Sequence, residues 1–179
     1  MYLYIFRGGG LAIPREKRTE ILINKSLDLY GEEMKITFSN KKRQIVKEPR
    51  GKPYFKENPL CFSVSHTKNL WAFIIDQENI GLDIQEVRPA RIKAVASRYF
   101  TLNEQEYIEK NQEEAFFQIW TRKEAYGKYT GKGITSDLKE FDTLEDNEHM
   151  KFIDLDIAPG IKAACCMREE KKIWIREIS

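Results

Sequence analysis

The chain has 179 residues, 41% of them apolar and 12% aromatic, enough for one compact domain or two small lobes with a buried core and no disulfide framework. Its 30 basic and 28 acidic side chains leave a net charge of +2, which removes any bulk electrostatic case for nucleic acid and makes the placement of charge the informative quantity. Cys61, Cys165 and Cys166 lie in apolar runs without zinc spacing. No run nears the ~20 apolar residues of a membrane span, and Met1–Arg7 is too short for a leader's apolar region, so a cytoplasmic protein with buried thiols is expected.

In chain order, Tyr2–Phe6 reads as a strand ending in the Gly8-Gly9-Gly10 turn. Pro14 opens a helix to Tyr30 with Ile21, Leu22, Leu27 and Leu29 as apolar positions, Gly31 stops it, and Met34–Phe38 reads as a strand. From Lys41 to Lys52 the chain is turn-rich and basic, with Lys41, Lys42, Arg43, Lys47, Arg50 and Lys52 against Glu48. A solvated loop explains such a cluster, and so does attraction for phosphate or an acidic protein.

Leu60–Ser65, Leu70–Asp76 and Ile80–Gln85 follow as short strands. Turns at Lys68-Asn69 and Glu78-Asn79 suggest antiparallel neighbours. Pro89 opens a helix to about Tyr99, and Asn103 with Glu106 suggests a capping box for another. A long helix is expected from Glu113 to Tyr129, with Gly131 as its terminator. Lys151–Ile157, Ile161–Met167 and Lys172–Ile178 read as strands. The pattern is α+β, with a seam near residues 76–80 that divides the chain into 1–78 and 79–179.

Three segments carry polar groups in chemically suggestive places. In Gly81-Leu82-Asp83-Ile84-Gln85, strand alternation puts Asp83 and Gln85 on one face and Leu82 and Ile84 on the other. A carboxylate beside an amide oxygen suits a hard cation, although an amphipathic strand explains the same pattern. In Trp120 to Lys128, helical spacing aligns Trp120, Glu124 and Lys128. A surface ion pair is the bland account of that alignment; a metal on Glu124 and a phosphate on Lys128 is the functional one. Phe62-Ser63-Val64-Ser65-His66-Thr67 ends an apolar strand in hydroxyls and a histidine, donors for a phosphate, with no nucleophile elbow beside them.

The order of these segments is more specific than any one of them. Gly51-Lys52-Pro53, Phe62 to Thr67, Gly81 to Gln85, Phe100 to Glu104, Trp120 to Lys128 and Gly131-Lys132-Gly133-Ile134 together resemble the Sfp-type 4′-phosphopantetheinyl transferases. The resemblance is close over residues 51–134 and looser around Lys17-Arg18-Thr19. It implies two similar, pseudo-twofold α+β lobes with coenzyme A in the cleft between them, here residues 1–78 and 79–179, and Mg²⁺ or Mn²⁺ on the pyrophosphate.

By that resemblance Asp83, Gln85 and Glu124 are the metal ligands, although many relatives carry an acid where this chain has Gln85. Asp83, Glu124 and Lys128 are catalytic, with Glu124 or a metal-bound water as the base and Lys128 at the leaving group. Arg18, Gly51, Lys52, Pro53, Ser65, His66, Thr67 and Lys128 contact coenzyme A. The implied reaction moves phosphopantetheine from coenzyme A to a serine of an acidic acyl or peptidyl carrier protein, as in fatty-acid, nonribosomal-peptide or polyketide synthesis. The enzyme is expected as a monomer with no nucleic-acid or membrane partner. A metal-dependent phosphodiester hydrolase and a non-catalytic coenzyme A-binding regulator are the alternatives.

Overall fold

Apolar runs of two-residue and of helical period alternate along the chain, and the computed structural model, which describes residues 1–8 and 13–178, arranges them in two compact units. One consists of Met1–Ile80 with Lys171–Ser179, the other of Gly81–Glu170. The expected partition at 78 therefore differs at the C-terminus, where the chain returns to its first unit. Residues 9–12 of the expected glycine turn lie outside the described residues.

The first unit is built on β1 (Tyr2–Arg7), β4 (Cys61–His66), β5 (Leu70–Asp76) and β9 (Trp174–Ile178), in the order β4-β5-β1-β9. β4 and β1 are both antiparallel to β5, while β9 lies parallel to β1, pairing Tyr2 with Trp174 and Phe6 with Ile178. Helix α1 (Arg15–Met34) lays Leu22, Ile23, Leu27 and Tyr30 into one core with Tyr4, Phe6, Phe62, Trp71, Phe73 and Ile75. Those strand residues alternate, so they share one sheet face.

Two expectations for this unit are corrected. Gly31 does not end α1; the helix continues to Met34, and Lys35 turns left-handed at φ 55° while the Ile36 amide donates back to the Gly31 carbonyl at 2.9 Å. A Cβ on Gly31 would lie 2.6 Å from the Ile36 carbonyl oxygen, so this glycine permits the closing turn. No strand forms over 34–38, because Phe38 packs its ring against Tyr30 instead. The basic stretch also contains an unexpected hairpin, β2 (Ile45–Lys47) against β3 (Pro53–Phe55), turned through Gly51 at φ 92°.

The second unit contains β6 (Ile80–Glu86), β7 (Lys151–Asp154) and β8 (Ile161–Met167), in the order β6-β8-β7. The expected β5–β6 hairpin is thus absent: β6 belongs to the second sheet and takes β8 as its neighbour. Helices α2 (Ile92–Tyr99) and α3 (Leu102–Thr130) complete the unit, with α3 packed along β8.

Two expected helices after Thr101 run together as α3, broken at Gln112 with φ 62° and ψ −145°. The capping box is shifted from its expected position. Thr101, not Asn103, caps the helix, and Glu104 closes the box where Glu106 was expected. Phe100, Ile108, Phe116, Phe117 and Ile119 form the helical core, and Gly131 ends the helix left-handed as expected.

Candidate active site

A strand can lie directly on a helix backbone only where it carries no side chain. Gly81 is that place: a Cβ there would sit 1.9 Å from the Ala125 carbonyl oxygen and 2.6 Å from the Tyr129 nitrogen of α3. Two residues on, Asp83 therefore meets the stretch of α3 one turn either side of Ala125. Lys128 Nζ lies 2.8 Å from Asp83 Oδ1, and Gln85 Nε2 donates to Asp83 Oδ2 at 2.9 Å.

Asp83 is only 3% exposed. The polar face of β6 is thus covered at Asp83, while Gln85 and Glu124 are half-buried. Burial raises the Glu124 carboxyl from its ordinary 4.5 to about 7, the charge of Asp83 adds to the rise, and Lys128 opposes it. Asp83, Gln85, Glu124 and Lys128, singled out from strand and helix periodicity, thus form one cluster in the second unit. A second glycine braces it. Gly127 has Gly133 O 2.7 Å from where its Cβ would stand, and the Gly133 amide donates to the Gly127 carbonyl at 3.1 Å.

The donor set fits a hard divalent cation. Its groups are two carboxylates and an amide, with no sulfur or imidazole, and the Asp83 charge adds to the rise that burial imposes on the Glu124 carboxyl. Lys128 supplies one compensating positive charge on Asp83. Among the described residues no cluster of three His, Cys, Asp or Glu side chains can hold a metal. Gln85 lies beside Asp83, with its amide nitrogen toward that carboxylate.

The other expected site residues belong to the first unit and are described by themselves. Arg18, His66 and Thr67 line one small pocket with Phe6, Leu70 and Trp71. There Arg18 Nε and Trp71 Nε1 are buried without hydrogen-bond partners, while Arg18 Nη2 donates to the Ile13 carbonyl at 3.2 Å. The Thr67–Leu70 turn shapes this pocket, with the Thr67 amide donating to the Leu70 carbonyl at 2.8 Å and the Leu70 amide donating to Thr67 Oγ1 at 3.2 Å. Ser65 is buried on the adjoining strand end and His66 is exposed.

Gly51 and Pro53 line a separate groove with Thr19, Asn24, Arg43 and Lys47, and Lys52 Nζ donates to Asn79 Oδ1 at 2.6 Å. The expected set is therefore distributed over two places in this unit.

Sequence reasoning missed a fully buried ion pair beside the cluster. Lys123 and Glu104 are both 0% exposed and meet at 2.9 Å. Lys123 Nζ also donates to the carbonyls of Leu138 and Phe141 at 2.5 and 2.6 Å and lies over the Phe141 ring. Burial pulls its ammonium below the usual lysine range, while Glu104 pushes the other way. A signal was present: Lys123 continues the helical stripe of Phe116 and Ile119, where a charge needs a buried partner.

The chain's sequence agrees with this geometry. Residues 79–173, more than half of the chain, match the 4′-phosphopantetheinyl transferase superfamily. The chain belongs to that family. It is 35% identical over 99 residues to the 4′-phosphopantetheinyl transferase psf-1 of Bacillus pumilus, covering 52% of this chain and 42% of that one. Against the 4′-phosphopantetheinyl transferase HetI of a Nostoc species it is 37% identical over 97 residues, covering 49% and 41%. The 4′-phosphopantetheinyl transferase gsp of Aneurinibacillus migulanus is 27% identical over 163 residues, 82% of this chain and 65% of its own. The alignments thus span between two fifths and two thirds of these relatives' lengths. Among the described residues no helix is long and apolar enough to cross a membrane.

Proposed function

We propose that this protein transfers the 4′-phosphopantetheine arm of coenzyme A to a serine of an apo-carrier protein. The observation that carries this reading is the meeting of Asp83 and Glu124, with Lys128, inside the segment that matches the family. The relatives named above all bear the transferase name, which supports transfer over hydrolysis or bare binding.

In the proposed reaction the serine Oγ bonds to the β-phosphorus of coenzyme A, the bond from that phosphorus to the bridging oxygen breaks, and 3′,5′-ADP departs. Glu124, raised into the neutral range by burial, accepts the serine proton. Lys128 places its ammonium where the leaving phosphate gathers charge. Asp83, Glu124 and the Gln85 amide oxygen would hold a Mg²⁺ or Mn²⁺ ion, which when bound neutralises the pyrophosphate. Arg18, Ser65, His66 and Thr67 receive the nucleotide's 3′-phosphate, and Gly51, Lys52 and Pro53 line its approach.

The Arg18 and Trp71 donors left unpaired in their pocket support an anion there. The acidic carrier, the monomeric state, a cytoplasmic setting and the identity of the two units with the family's two similar lobes belong to the same proposal. Incubation with coenzyme A, Mg²⁺ and a panel of apo-carrier proteins tests it. One carrier should gain the mass of a single phosphopantetheine group, and the gain should vanish with EDTA. No gain on any carrier, with coenzyme A intact, overturns the assignment.

A further inference from the structure

The Lys123–Glu104 pair has no part in the proposed chemistry, yet it uses nearly all of its bonding capacity inside the protein. Glu104 Oε2 accepts from the Thr101 amide at 2.9 Å and from Lys123, while Oε1 accepts from the Thr143 amide and hydroxyl, each at 2.8 Å. Lys123 gives its protons to Glu104 and to two carbonyls of the segment that follows α3. A buried ion pair seldom adds stability over well-packed apolar side chains of similar volume, because desolvation offsets the attraction. What it adds is direction: the bonds that reach outside the helix, to Thr143, Leu138 and Phe141, are satisfied at only one setting of α3 about its axis.

That setting matters one residue later. Glu124 leaves the helix about 100° around from Lys123 and faces β6. A turn of ~20° at a side-chain radius of ~5–6 Å moves a carboxylate by roughly 2 Å, as long as a whole Mg²⁺–oxygen bond. Gly81 and Gly127 let the backbones approach closely, but neither has a side chain with which to resist such a turn.

We propose that Glu104 and Lys123 are positioning residues: the pair ties the two halves of α3 across the break at Gln112, and its bonds to Thr143, Leu138 and Phe141 outside the helix lock the rotation of the second half and thereby aim Glu124 at Asp83. This inference rests on the proposed cation site, and the test separates the two. The volume-conserving double variant Glu104→Leu/Lys123→Met takes their partners from the Thr143 amide and from the Leu138 and Phe141 carbonyls, so its melting temperature should fall, and its ion binding is read well below that temperature. Mn²⁺ affinity, followed by the ion's electron-spin-resonance signal without substrate, should fall about tenfold, and kcat should fall with little change in the KM for carrier. Thr143→Val removes one hydroxyl bond to Glu104 and keeps the backbone bond; its Mn²⁺ affinity should fall two- to fivefold at an unchanged melting temperature. If the double variant folds and binds Mn²⁺ like wild type, the positioning role is overturned. If it does not fold, wild-type affinity in Thr143→Val overturns it equally. Wild-type protein that binds no Mn²⁺ removes the cation site, and this inference with it.

Discussion

At Glu124 the charge itself is the quantity to test. Its folded pKa of about 7 stands above the ordinary 4.5, so the folded protein favours the protonated acid. The resulting destabilisation is absent below the unfolded value, grows as pH rises from 4.5 to 7, and is constant above. A rise of that size corresponds to about 3 kcal/mol. Glu124→Gln, with EDTA present, should therefore gain about that much stability over wild type at pH 8 and far less at pH 5. Thermal melts at the two pH values measure it, and a variant no more stable than wild type at pH 8 contradicts the buried-acid reading. Gln85→Glu works in the opposite sense. A third negative charge beside Asp83 should lower the Mg²⁺ concentration needed for half-maximal transfer by about tenfold, for roughly 1.4 kcal/mol of added attraction. An unchanged requirement would show that position 85 does not face the ion.

Among the elements, the approach of β6 to α3 depends on one missing methyl group. Gly81→Ala would bring its Cβ against two backbone atoms of α3, and backbone cannot rotate away as a side-chain tip can. The strand must lift, at a cost of about 1–3 kcal/mol, and Mn²⁺ binding should drop by more than tenfold because Asp83 moves with it. Gly160 is the comparison. Its Cβ would meet nothing, but its φ of 71° is left-handed, so Gly160→Ala should lower stability by about 1 kcal/mol and leave Mn²⁺ binding unchanged. Equal losses of ion binding in both variants would mean that general destabilisation, not the close approach, explains Gly81.

The sequence made part of this arrangement legible. Period two aligned Asp83 with Gln85, period 3.6 aligned Glu124 with Lys128, and β5 and β8 fell where apolar runs put them. It did not reveal that β6 deserts β5 for β8, since a Glu78-Asn79 turn serves a hairpin and a crossing between sheets equally well. The capping box was misplaced for a related reason. Asn103 with Glu106 and Thr101 with Glu104 both satisfy the local pattern, and only the buried partner Lys123 selects the second.

Over the whole molecule, the least local feature is the return of the chain to its first unit. β9 pairs in parallel with β1, and this contact joins residues about 170 positions apart, as in Arg7 with Glu177 at 2.6 Å. No short-range signal encodes it, because a parallel partner needs no turn. Among the described residues four ion pairs accompany it: Arg7–Glu177, Arg176–Glu33, Lys171–Asp76 and Lys171–Glu78. Each pair has at least one side chain that is 30% or more exposed, and such solvent-screened pairs contribute about 1 kcal/mol or less each. The backbone ladder and the packing of Ile178 against the first core therefore hold β9 in place more strongly than its charges do.

Removing residues 171–179 should accordingly lower stability by several kcal/mol, far more than the triple replacement Arg7→Gln, Lys171→Gln, Arg176→Gln, for which about 1–2 kcal/mol is expected. Hydrogen exchange separates the causes further. In the truncated chain the β1 amides that face β9 should lose protection, while those of β8 and the second half of α3 keep theirs. If the triple replacement proves as costly as the deletion, charge rather than strand pairing closes the first unit. If β8 and α3 lose protection along with β1, the chain's return supports the site-bearing unit as well as its own.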